Sequence, residues 1–141
     1  MSEPILPKSA FHKVGGLRYL PRLLDKIRLH AAGYLPECYH ANLGNGADGW
    51  CCGFLHVDYA ALRDFVLAGA DDEQALQWCF EHGRLLNDTD ILVYNQFVTK
   101  VGLNDFASKV LKKYKDEAGL SHRDDIQTLP EFFDVDEGRK E

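Results

Sequence analysis

GGLRYLPRLLDKIRLHAAG, residues 15–33, carries the strongest helical pattern in the chain. Gly15 and Gly16 punctuate the approach, and Pro21 suits a first helical turn, where its missing N–H is not needed. Gly33 supplies the left-handed residue that commonly follows a helix end. Leu20, Leu23, Leu24 and Ile27 recur at offsets of three and four and predict one buried stripe. Arg18, Arg22 and Lys26 recur every four residues on another face. Two readings fit that basic row. It is either a solvated or ion-paired face of a core helix, or one wall of an anion-binding cleft, for which the arginine fork is well suited.

The rest of the chain repeats one local order: a capping residue, an amphipathic run, a glycine stop. Asp58 opens a helix to about Ala68, and Asp71 with Gln74 forms a capping box for 72–82. Asn87 with Asp90 opens 88–101, Asn104 opens a run to about Ala118, and Thr128 caps a last piece containing Pro130. A short helical turn, WCCGFL, precedes these, with Asp48 as its N-cap. No alternating β-branched run appears, so the sequence predicts an all-α fold of five or six helices in a single domain over 1–141. Residues 1–10 read as an extended arm docking through Ile5, Leu6 and Phe11, and residues 135–141 as a frayed tail. Residues 34–49, YLPECYHANLGNGADG, read as one long glycine-rich loop.

Composition narrows the functional classes. The net charge of −6 divides unevenly: residues 1–33 hold six Lys/Arg against two acids, and the remainder ten against twenty. An acidic chain is poorly suited to neutralising nucleic-acid phosphates, so no nucleic-acid partner is expected. No apolar run approaches the ~20 residues that span a bilayer. The first residues lack a secretory layout, so a cytoplasmic location and reduced cysteines are the expectation.

Four groupings could carry chemistry. Gly44-Asn45-Gly46-Ala47-Asp48-Gly49 fits G-x-G-x-x-G, but the preceding ECYHANL is a poor strand and no βαβ unit surrounds it. What survives is a backbone anion nest or a tight turn. Combined with the basic row, it defines a ligand site of Arg22, Lys26, Tyr39, His40, Asn42, Gly44 and Gly46 for a small anionic molecule. The set Cys38, His40, Cys51, Cys52, His56, Cys79 and His82 matches no zinc spacing, and no metal site is assigned. Cys51 or Cys52, at the start of a short helix after the glycine segment, is the candidate nucleophile, with His40 or His56 as its base. The acidic set Asp124, Asp125, Asp134, Asp136 and Glu137 lacks an EF-hand pattern and reads as solvated.

Taken together, Leu20-Pro21-Arg22, Tyr39-His40-Ala41-Asn42-Leu43-Gly44, Trp78-Cys79-Phe80-Glu81, Arg123-Asp124-Asp125-Ile126 and Asp136-Glu137-Gly138-Arg139 give the chain a likeness. It resembles a bacterial family catalogued as domain of unknown function 5069, over nearly its whole length. The resemblance implies a small soluble single-domain protein and assigns no activity, cofactor or catalytic residue. Three functions stay open: a domain binding a small anion between the first helix and 39–52, a small-molecule enzyme using Arg22, Lys26, Tyr39, His40 and Cys51, and a homo-oligomeric module using apolar surface near Phe132 and Phe133.

Overall fold

The computed structural model describes residues 3–141. Its first ordered elements depart from the all-α expectation. Lys13–Val14 (β1) and Leu17–Arg18 (β2) form a small antiparallel hairpin, Val14 pairing with Leu17 and Lys13 with Arg18. Gly15 and Gly16 make its turn, with φ of 56° and 82°. Left-handed geometry at both positions is what a two-residue hairpin turn demands and what glycine adopts without strain. Asn95 ties the hairpin to the body, accepting from the Arg18 amide at 2.9 Å and donating to the Gly16 carbonyl at 2.7 Å.

The remaining secondary structure is helical. α1 spans Leu20–Ala32, α2 Ala47–Leu55, α3 Tyr59–Leu67, α4 Asp72–His82, α5 Asp88–Lys100, α6 Ser108–Glu117 and α7 Leu129–Asp136. Local chemistry sets most starts. Asp58 accepts from the Ala61 amide, and Thr128 from the Glu131 amide. Both predicted capping boxes, Asp71 with Gln74 and Asn87 with Asp90, are formed in full. Among the described residues there are seven α-helices rather than five or six, because the pieces around Trp50 and Phe132 are complete helices. No described helix is long and apolar enough to cross a membrane.

Three local expectations are corrected. The segment expected to be one long loop holds a 3-10 helix at Glu37–Asn42, entered from Pro36, and then the first turn of α2. Proline disrupts the turn before it, through its missing N–H and the clash of its ring with the i−4 carbonyl, so it is compatible with a helix beginning just after it. α6 begins at Ser108, later than expected, because Asp105 accepts from the Gly102 and Ala107 amides and holds 102–107 as a turn. In the N-terminal arm, Ile5 and Leu6 stay exposed, while Pro7, Ser9 and Ala10 are the buried residues.

Two apolar clusters result. The larger gathers the hairpin, α1 and residues of α2 through α5 around Leu20, Leu23, Leu24 and Ile27, the stripe the periodicity predicts. The smaller unites Val101, Ala107, Leu111, Ile126, Leu129 and Phe132. Phe97 touches both. Because Leu23 is fully buried at the centre of the larger cluster, Leu23→Ala should lower unfolding free energy by about 2–5 kcal/mol. The same change at exposed Ile5 should stay within about 0.5 kcal/mol, both read from urea midpoints.

Candidate functional site

α1 presents Arg22 and Lys26 one turn apart, and neither points to solvent. Their residues are 3% and 5% exposed. Arg22 donates through Nη1 and Nη2 to the two oxygens of Glu137 at 2.9 and 2.7 Å, and through Nη1 to the Lys8 carbonyl at 3.0 Å. Its guanidinium also lies 4.7 Å from the Phe133 ring centroid, a cation–π contact. Tyr39 donates to the same Glu137 carboxylate at 2.6 Å.

Lys26 makes the second unit. Its Nζ donates to both oxygens of Asp48 at 3.0 Å, Tyr19 donates to Oδ1 at 2.5 Å, and the Gly44 amide donates to Oδ2 at 3.1 Å. Arg22 and Lys26 therefore each grip a buried carboxylate that also accepts from a tyrosine.

These contacts recast four expectations. Arg22 and Lys26 are buried and paired, not a bare basic wall. Asp48 is not an N-cap; Gly46 takes that position and the Asp48 side chain is fully enclosed. The glycine segment does wrap an anion, but the anion is the chain's own Asp48, with Gly44 in left-handed geometry (φ 76°) under the Tyr59 ring. Val135 and Asp136 complete α7, and the Glu137 side chain is 2% exposed, so the start of the supposed tail is anchored. Its partner Arg22 lies far away in sequence, which is why composition alone reads it as solvated.

Electrostatics follow from burial. Burial opposes the charge on Glu137, but the hydrogen bonds and charge of Arg22, with help from Tyr39 and Arg139, outweigh it and hold the carboxyl below the usual range. Arg22 is likewise raised by Glu137 against the pull of burial. Lys26 goes the other way: burial lowers its ammonium pKa despite Asp48. Burial, and then their carboxylate partners, raise the phenols of Tyr19 and Tyr39.

The two units form part of a cleft of about 350 Å³ between α1, the 3-10 helix, α6 and α7. Of the seven predicted ligand residues, Arg22, Lys26, Tyr39, Asn42 and Gly46 line it, while His40 and Gly44 do not. Sequence reasoning missed Tyr19, Tyr114, Phe133 and Asp136 on its walls. Phe133 carried a signal in the sequence, read only as apolar surface for a second copy of the chain.

The catalytic candidates are not brought together. His40 bonds through Nε2 to the Leu35 carbonyl and packs its ring on His30. Cys51 lies in the interior, where burial pushes its thiol well up; Cys52 and Cys79 are raised to about 12 by the same cause. A buried thiol whose ionisation is opposed in this way is poorly placed to act as a nucleophile. Among the described residues no three His, Cys, Asp or Glu side chains assemble as a metal site. Of the two residues named for an interaction surface, Phe132 is buried and Phe133 is half-buried beside Arg22.

The chain belongs to the family described as domain of unknown function (DUF5069), whose model matches residues 5–139. Comparison with curated proteins gives no match.

Two measurements check the site's construction. Glu137→Ala strands a buried guanidinium and should cost about 3–5 kcal/mol. Because the folded pKa of Glu137 is depressed, its stabilisation is present above the unfolded value of about 4.3 and fades as pH falls through the folded value. Urea unfolding of Glu137→Gln should therefore lose less stability between pH 5 and acid than wild type. Separately, iodoacetamide at neutral pH should modify exposed Cys38 in the folded protein and reach Cys51, Cys52 and Cys79 only after unfolding.

Proposed function

We propose that this member of the family is a small-molecule-binding domain, and that the cleft between α1, the 3-10 helix, α6 and α7 is its ligand site. The observation that carries the reading is the hydrogen-bond count on its two buried cations. A guanidinium has five N–H donors and an ammonium three. Three of the Arg22 donors and two of the Lys26 donors are used by the described residues. No buried side-chain nitrogen or oxygen among the described residues is without a partner, so the N–H bonds left over on these two cleft-lining residues are spare rather than orphaned. A ligand oxygen that accepts one of them adds a charge-assisted hydrogen bond.

The charge balance selects among oxygen ligands. Glu137 and Asp48 already neutralise Arg22 and Lys26, and Glu117 and Asp136 add carboxylates to the walls. Burial, together with nearby Glu137, raises the Asp136 pKa. An anion, the expectation from the basic row, would have to displace a bidentate internal carboxylate. An uncharged carbonyl or hydroxyl oxygen needs no displacement. Tyr39, Tyr114 and Phe133 supply the apolar surface that such a ligand's body requires.

The test is a titration followed by amide NMR shifts, using benzamide, benzyl alcohol and benzoate as probes. Benzamide should move the amides of Tyr39, Gly46 and Phe133 more than benzoate does, and Ala118→Trp, which places a bulky ring on an exposed cleft residue, should abolish the response. Shifts confined to other surfaces, or none at millimolar probe, would remove the cleft as a ligand site. A stronger response to benzoate would restore the anion.

A further inference from the structure

We propose that Lys26 is a carbonyl-reactive amine, and that an aldehyde held in the cleft condenses with its Nζ to form a protonated imine. This rests on the cleft being a ligand site and adds to it a reaction and a substrate class. Three features of the geometry support it.

The first is position. Lys26 is the one lysine among the residues lining the cleft, and its side chain is 7% exposed. A ligand oxygen that accepts the ammonium's remaining N–H places the attached carbonyl carbon beside Nζ.

The second is the availability of a proton carrier. Asp48 lies 3.0 Å from Nζ through both oxygens and is itself fixed by Tyr19 and the Gly44 amide. It can take the ammonium proton, leaving a neutral amine whose lone pair adds to the carbonyl carbon. The nitrogen then passes a proton to the former carbonyl oxygen, giving the carbinolamine. Asp48 returns its proton to that hydroxyl, the C–O bond breaks, water leaves, and the nitrogen lone pair forms the C=N bond. Ammonium and aldehyde have become iminium and water, with nothing oxidised or reduced.

The third is charge. The resting ammonium and the product iminium each carry one positive charge opposite Asp48, so the covalent state leaves no buried carboxylate unpaired. A buried lysine–carboxylate pair adds little stability over an apolar pair of the same volume. Burial also makes the Lys26 ammonium easier to deprotonate than a surface lysine, which is how buried lysines become nucleophilic at neutral pH.

The experiment incubates the full chain with benzaldehyde and sodium cyanoborohydride, which reduces an iminium to a stable secondary amine, and maps the modified lysines by peptide mass. Lys112 and Lys113, with side chains 78% and 69% exposed, are internal controls. Lys26 should be modified several-fold faster than either. Unreactive benzamide should protect it, Ala118→Trp should suppress its labelling, and Lys26→Arg, which keeps the charge, should lose that adduct alone. Should benzamide bind in the cleft while Lys26 is labelled no faster than the controls, the imine is overturned and the ligand site stands. If benzamide does not bind and Lys26 is not labelled, both readings fall. Labelling indifferent to benzamide and to Ala118→Trp would also overturn the proposal, since the reaction would then not need the cleft.

Discussion

Two positive charges on consecutive turns of a buried helix cannot stand without counter-charges, and the arrangement of this protein follows from where those come from. Arg22 draws its carboxylate from the end of α7, and Lys26 draws its own from the start of α2. Satisfying the first brings the C-terminal helix back across α1. Satisfying the second folds the glycine segment tightly round Asp48. The tyrosines add a further hydrogen bond to each carboxylate, and among the described residues no buried side-chain nitrogen or oxygen is left without a partner. A buried network satisfied in this way rigidifies the wall that α1 gives to the cleft.

What was legible in the sequence was what a few neighbouring residues determine together. Asp58, Asp71 with Gln74, Asn87 with Asp90 and Thr128 each cap a helix through groups three residues away, so their patterns are complete within a short window. The stripe of α1 is legible for the same reason, since helical period alone sets which side chains share a face. The hairpin escaped notice because two-residue strands on either side of Gly15-Gly16 are too short to show an alternation.

The site was legible only in part. The row Arg22, Lys26 and the segment around Asn42 and Gly46 do meet at one cleft. Their partners were hidden: Arg22 and Glu137 are separated by 115 positions, Lys26 and Asp48 by 22. An aspartate after a glycine turn has the same local appearance whether it caps a helix or enters the core. An acidic stretch near a chain end likewise looks solvated until a buried arginine is placed beside it. Cys51 misled for a related reason: its suitability as a nucleophile depends on burial, which adjacent residues do not reveal.

The division into two apolar clusters has a mechanical side. Phe97 packs against both, and Arg22 with Glu137 ties α1 to the end of α7. A boundary between cores is where the native state opens at least free-energy cost, well short of global unfolding. The cleft lies on this boundary, with α1 on one bank and α6 and α7 on the other. Arg22–Glu137, Tyr39–Glu137 and Ser9–Asp134 all fasten the end of α7 across this boundary, so a change that loosens them should widen the cleft before either core unfolds.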